Sequence, residues 1–417
     1  MNPAVVISTY ISSNRRRSEA RSVIANYDHT TNIGEVGELD RCLNSLEVVE
    51  NLGLVIILVA ADKSVEEKAV DKVKLTASAH PKISSLVIGA REAQLLRSRL
   101  EQLGHGDISK KVVLKGYANI KNLGLILAKA FGFDGVVFLD DDVVIDDPDF
   151  MTKAVYGLGK LTKAGVPILV KTGYYLNANG SYLSSWEDKW YNKFWQQGSA
   201  FNEWISKAIA GPRLTRSNHV CGGCLAIHKE AFSRVCFDPY ITRGEDLDYM
   251  INLRMHGSDI WFDNKWVMIH LPPKTPSEGN RFRQDIYRWL YEQAKLEFSW
   301  SQIDLRKVTA ASLMPYPGPL LGKGLKNRIA ITALLRSFGR PDKKAYRLAA
   351  KVAKKDALKY AEQNCKKYFK IQSVWAKMMS DIDSDQVISA KILTAAQDIP
   401  EISVNPGATR EIQVNIG

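Results

Sequence analysis

Cysteine is scarce in this sequence. Cys42, Cys221, Cys224, Cys236 and Cys365 are the five in 417 residues. An odd, sparse set excludes a disulfide framework and fits a reducing compartment. Long apolar runs are also missing. The longest, Leu52 to Ala61, has ten residues. That is about half of what a membrane span needs, and it reads as a buried strand. The opening MNPAVVISTY has no basic stretch followed by an apolar one, so no signal peptide is expected. Internal repeats and low-complexity tracts are absent. The expectation is a cytoplasmic protein, at most peripheral to a membrane.

What is present is ordinary globular composition, 45% hydrophobic and 24% charged. The length suits one large domain with an appendage. The net charge of +12 is concentrated. Residues Lys323 to Lys377 hold 16 Lys/Arg against 3 Asp/Glu, which leaves the remainder close to neutral. Polyanion binding, if any, belongs to that segment.

Strand-like runs at Ala4–Tyr10, Leu52–Ala61, Ser84–Ala90 and from Gly135 alternate with helical patterns. Leu39, Leu43, Leu46 and Val49 share one helical face. Ser64 to Ala77 reads as a helix, and Leu95, Leu96, Leu100 and Leu103 line another that Gly104 ends. A further apolar-faced helix runs to about Gly132. This alternation predicts an α/β fold with a mostly parallel sheet covered by helices on both faces. Residues 1–300 read as the catalytic domain and 301–325, with the Pro- and Gly-rich Tyr316–Gly324, as a linker. Residues 326–417 read as a basic helical extension, ending in a β-hairpin around Asn405-Pro406-Gly407.

The strongest chemical signal is Val136-Val137-Phe138-Leu139-Asp140-Asp141-Asp142. Four apolar residues fit a central strand, and acids emerge at its carboxyl end, where open α/β sheets bind ligands. Asp140 and Asp142 point to the same side of an extended chain and offer hard oxygens to Mg²⁺ or Mn²⁺. An acidic turn capping a helix is the plain structural alternative, and for Asp146 and Asp147 it is preferred. Further on come Cys221-Gly222-Gly223-Cys224, then Thr242-Arg243-Gly244-Glu245-Asp246-Leu247-Asp248 opening a helix over Asp248–Met255, then two strand-like runs ending at His270. The glycines permit close backbone approach. Acids at a helix start also suit the helix dipole alone. The Cys221–Cys224 pair, embedded in an apparent strand, reads as buried small residues rather than a zinc or redox site.

This order resembles GT-A fold (Rossmann-like) glycosyltransferases, notably family 2 and the inverting β-galactosyltransferase type, over roughly residues 4 to 272. The resemblance implies an Asp-x-Asp motif and a metal held by Asp140, Asp142 and His270. It places Asp62, Asp140, Asp141, Gly222 and Gly223 at the nucleotide-sugar donor. It turns Glu245 and Asp246 towards the acceptor, with Asp246 the general base of an inverting transfer. The implied cofactor is Mn²⁺ or Mg²⁺. The implied partners are a nucleotide-diphosphate sugar and an acceptor hydroxyl on a glycan, a lipid-linked or a small molecule. The oligomeric state is left open. One departure matters: Gln284, Arg288 and Trp289 have three intervening residues where processive family 2 enzymes have two, so a processive polymerase is not implied.

Other features have two readings each. Trp186, Trp190, Trp195 and Trp204 suit either sugar stacking or core packing. Arg15, Arg16 and Arg17 suit a diphosphate clamp or a solvated loop. The stripe Ala345, Ala349, Val352, Ala353, Ala357, Tyr360, Ala361 and Tyr368 suits packing on the main domain, with its lysine-rich face either solvated or docked on anionic lipid. The competing functional classes are a nucleotidyltransferase and a non-catalytic binder of anionic membrane or nucleic acid. The first usually carries a glycine-rich loop after the first strand, which ISTYISSNRRR lacks. The second has no reason to carry the acids, and a nucleic-acid motif is missing.

Overall fold

A computed structural model describes residues 1–13, 27–273 and 277–397. The arginines Arg15, Arg16 and Arg17 and the expected terminal hairpin lie outside the described residues. Among those described, the strands are β1 Pro3–Ser12, β2 Thr31–Asn32, β3 Val55–Ala61, β4 Ser85–Ile88, β5 Gly135–Asp140, β6 Val143–Val144, β7 Val170–Leu176, β8 Leu214–Arg216, β9 Cys224–His228 and β10 Trp261–His270. They form one sheet in the order β4-β3-β1-β5-β9-β7-β10-β6, with β2 on β1 and β8 on β10. β4, β3, β1 and β5 run parallel, and so do β7 and β10. β9 is antiparallel to both of its neighbours.

The sheet is mixed and mostly parallel, as its apolar strands predict. Alternation along each strand feeds two cores. Val6, Leu58 and Phe138 face one side with Leu225. Val5, Ile57, Val137 and Ala226 face the other. Gly104 and Gly132, with φ of 86° and 76°, follow helices Ala90–Gln102 and Tyr117–Ala130, as expected for left-handed stops.

Three local expectations change. The acidic helix begins at Glu245 rather than Asp248, because Gly244 takes a left-handed φ of 65° and starts the turn earlier. Gly222 and Gly223 lie in a turn ahead of β9, closed by Cys224 N–H donating to Cys221 O at 2.9 Å, so the Cys-x-x-Cys is not inside a strand. The two runs before His270 are one strand, β10, with a register irregularity between Phe262 and Val267. All five cysteines are buried and free.

The stretch read as a linker is packed. Val308, Leu313, Tyr316, Leu320 and Leu321 are buried in the same core as the sheet. Its prolines and glycines shape short 3₁₀ turns, Ala311–Leu313 and Gly318–Leu320, rather than a free connection. The basic stripe divides into helices Lys343–Lys354, Asp356–Asn364 and Lys367–Asp381. Ala349, Val352, Ala353, Ala357, Ala361 and Tyr368 are buried against the main body, and the lysines face outward. Trp195 and Trp204 are core residues. Among the described residues no helix is long and apolar enough to cross a membrane.

Candidate active site

β5 is a central strand, and its last residue is Asp140. The chain then turns through Asp141 and Asp142 and resumes as β6. β6 pairs antiparallel with the end of β10, opposing Val143 to His270. Leu271 N–H donates to Asp142 O at 3.0 Å, locking the corner. Two segments more than a hundred residues apart thus bring His270 Nε2 to 3.3 Å from Asp142 Oδ2. Donor atoms of Asp140, Asp142 and His270 all lie within 4.8 Å of one another, and among the described residues this is the group arranged to hold a metal ion.

The electrostatics describe a place short of positive charge. Burial and the neighbouring carboxylate of Asp142 push the Asp140 carboxyl up to about 6, against the pull of Lys121. Burial, then Asp142, pushes Asp141 up to about 8. Burial alone would lower the His270 pKa, but its hydrogen bond to Asp142 outweighs this and holds it above the usual value. Asp142 Oδ1 is buried with no hydrogen-bond partner. Buried acceptors are normally satisfied. Two carboxylates, one with an orphaned oxygen, and an imidazole make a donor set that fits Mn²⁺ or Mg²⁺.

The glycines give the acids room. A Cβ on Gly223 would sit 2.3 Å from Asp140 Oδ2 and 2.9 Å from Asp140 N. One on Gly222 would stand 2.8 Å from Lys121 Nζ and 3.1 Å from Asp246 Oδ2. The turn therefore threads between the metal-side acid and the acid at the helix start. Helix Glu245–Met255 presents both acids at its first turn, where the dipole favours them. Glu245 is taken up by a 3.0 Å ion pair with Lys121. Asp246 accepts from Leu247 N–H at 2.7 Å through Oδ1.

Most of these residues line one cavity of about 250 Å³. Asp140, Asp141, Asp142, Gly222, Glu245, Asp246 and His270 all contribute to its wall. Gly223 and Asp62 do not; Asp62 accepts from Ser13 N–H and Oγ at 2.9 and 3.0 Å and holds the end of β1. None of the tryptophans lines the cavity.

Several lining residues carry no signal in the sequence. Lys121 reads as one lysine in an apolar helix, yet its Nζ donates to Gly222 O at 3.0 Å. Burial works against its charge, but Glu245, Asp140 and Asp246 raise its pKa. Arg243 binds Asp28 at 2.7 Å and Asp285 at 3.3 Å, and burial is outweighed by these carboxylates. Tyr10 and Tyr117 pack with Tyr27, ring centroids 4.1 to 5.4 Å apart, at the far end of β1. Of these residues only Arg243 stands next to the acids in the sequence, in Thr242-Arg243-Gly244-Glu245.

No protein-family model matches the chain, and no curated protein matches it. Among solved structures the chain is similar to a mannosyltransferase from Pyrobaculum calidifontis in complex with GDP-Man and Mn²⁺. That likeness has 14% identity and a TM-score of 0.43, and covers 94% of this chain and 88% of that one. It is also similar to glucosyl-3-phosphoglycerate synthase from Mycobacterium tuberculosis, in complex with Mn²⁺ and UDP-glucose. There the identity is 14% and the TM-score 0.37, over 70% of this chain and 78% of that one. A third similar structure is GalNAc-T7 with UDP, GalNAc and Mn²⁺, at 14% identity and a TM-score of 0.36, over 72% of this chain and 52% of that one.

Proposed function

We propose that this chain is a metal-dependent glycosyltransferase that moves a sugar from a nucleotide-diphosphate donor to an acceptor hydroxyl with inversion. One observation carries the reading: the Asp140–Asp142–His270 donor set and the free carboxylate edge of Asp246 share a single cavity at the carboxyl end of a central strand.

Asp140, Asp142 and His270 would hold Mn²⁺ or Mg²⁺, which supplies positive charge to the departing diphosphate. Asp140 and Asp141 line the donor side, and the bare backbone of Gly222 and Gly223 lets the donor sugar approach. Asp62 contributes through Ser13, by fixing the end of β1 beside the nucleotide. Of the two acids at the helix start, Glu245 is neutralised by Lys121 and keeps the turn in place. Asp246 has Oδ1 engaged locally and Oδ2 near Gly222. It is the group positioned to take the acceptor's proton as the acceptor oxygen bonds to the anomeric carbon and the bond to the diphosphate breaks.

Thermal stabilisation by UDP, GDP and their sugars, with and without Mn²⁺, tests the reading. We expect stabilisation that requires the metal. A chain that no nucleoside diphosphate stabilises in either condition would overturn it.

A further inference from the structure

Arg288 is a buried cation in the wall of the same cavity; its guanidinium lies 4.4 Å over the Trp289 ring and has no carboxylate beside it among the described residues. It projects from helix Glu278–Ser299 and is 6% exposed. Among the described residues no carboxylate oxygen lies within 4.0 Å of its guanidinium, whereas Arg243 has two such partners and Arg281 has one. Its Nε has no hydrogen-bond partner, and Nη2 reaches only Gly244 O, at 3.5 Å. Glu292, one turn along the helix, lies more than 4.0 Å from it and pairs with Lys295 at 3.8 Å instead; burial pushes that carboxyl up, against the pull of Arg288. A buried guanidinium left in this state is costly unless an anion completes it.

The position says which side of the cavity such an anion would take. Arg281 stands on the metal side, where its charge acts on His270 and Tyr175. Arg288 stands on the other side, where its charge acts on His219 and Tyr316. It packs directly beneath Gly244, two residues before Asp246; a Cβ on Gly244 would fall 2.1 Å from the guanidinium carbon. His219 adds a buried Nδ1 without a partner, on a ring that burial and Arg288 keep neutral.

We propose that Arg288 anchors an anionic group, of the phosphate or carboxylate class, on the acceptor, so that the molecule glycosylated here carries a negative charge close to the hydroxyl that reacts. A planar guanidinium suits such a group, since it can bind two oxygens at once. The inference rests on the transferase reading for the word acceptor, but the anion site itself is tested separately.

The experiment is calorimetric titration of glycerol 3-phosphate into the full chain saturated with Mn²⁺ and with whichever of UDP or GDP binds. Glycerate serves as the carboxylate arm and glycerol as the neutral control. We expect the anions to bind and glycerol not to, and Arg288→Gln to weaken the anions at least tenfold while leaving nucleotide affinity unchanged. Phosphatidic acid in detergent micelles, run beside the soluble phosphate, distinguishes a lipid headgroup from a free phosphate; tighter binding of either supports the site and names its source. Equal anion affinity in wild type and variant overturns the proposal. So does a variant that loses nucleotide affinity instead, because Arg288 would then serve the donor. Should Arg288→Gln fail to fold, Arg288→Lys keeps the charge but not the planar fork. A threefold or greater loss confined to the anion supports the proposal, and no loss overturns it. If no nucleotide binds, the titration is run without one. Arg288-dependent anion binding then stands while the transferase reading falls.

Discussion

Asp142 and His270 meet at 3.3 Å because β6 and β10 pair antiparallel just beyond the end of β5. The Oδ1 atom of Asp142 remains buried and unpartnered in that arrangement. Removing this carboxylate relieves a buried unsatisfied oxygen and gives up the contact with His270, two effects of opposite sign on the fold. We therefore expect Asp142→Ala to abolish Mn²⁺-dependent nucleoside-diphosphate binding while the melting temperature stays close to wild type. Calorimetric titration with and without Mn²⁺ checks this; unchanged affinity and unchanged metal dependence would refute the assignment.

The first half of this site was legible in the sequence because it is local. Four apolar residues running into Asp140 mark a strand end wherever the strand lies in the sheet. Gly222, Gly223, Glu245 and Asp246 were legible through their order along the chain. Lys121 and Arg288 were not, since a cation in a helix looks solvated until the fold shows what it faces; Arg243, in the loop just before Glu245, was placed near the acids by chain order alone. The same limit explains the segment around Tyr316. Proline and glycine announce turns, but whether those turns are exposed depends on apolar neighbours such as Leu313 and Leu320 finding a core.

Asp246→Asn keeps the side chain's size and its bond to Leu247 N–H, but cannot take a proton at neutral pH. Transfer should fall by about 10²-fold or more with donor affinity nearly unaltered. NMR of the product anomer should show inversion. A product with the donor's configuration would remove the need for a base and refute this role.

Gly223→Ala tests the threading of the turn. The new methyl meets both a carboxylate oxygen and the backbone nitrogen of Asp140, so the side chain cannot simply swing aside. We expect a stability loss of about 1–3 kcal/mol from overpacking. Mn²⁺-dependent nucleotide affinity should drop at least tenfold. Denaturant unfolding and calorimetry read the two effects apart. Wild-type affinity in a folded variant would show that Asp140 has more freedom than its surroundings suggest.

Away from the site, His80 bridges Glu47 at 2.8 Å and Asp40 at 3.1 Å. Burial would lower its pKa, but the hydrogen bonds to these carboxylates win and raise it. A raised folded pKa means the folded state binds the proton more tightly. Its contribution to stability is complete below the ordinary histidine value of about 6.5 and disappears as pH rises through the raised one. Melting temperatures against pH should show this loss in wild type and not in His80→Gln. Parallel curves for the two proteins would count against it.

Helices Lys343–Lys354 and Asp356–Asn364 turn their lysines outward, among them Lys344, Lys351, Lys354 and Lys359. We expect vesicles containing anionic lipid to sediment the protein at low salt and release it as salt rises. Each lysine near such a surface is worth about 1 kcal/mol, so changing these four to Glu should eliminate sedimentation. Activity on a small soluble acceptor should persist. Wild type that stays in the supernatant at low salt would leave this face merely solvated.

Helix Glu278–Ser299 carries Lys295 two turns beyond Arg288, about 10 Å along its axis. Buried Lys295 grips Asp248 and Asp238 together, and Asp248 belongs to the helix that opens with Glu245 and Asp246. The two helices therefore touch at two fixed points, Gly244 on Arg288 and Asp248 on Lys295. One point would act as a pivot; two act as a caliper with its screw tightened. On our reading, the gap between the base and the anion anchor is set once, when the chain folds. A molecule too long or too short between its charge and its hydroxyl is turned away by that fixed gap rather than by a clash, and the chain would have to loosen a pair buried well away from the cavity to accept it.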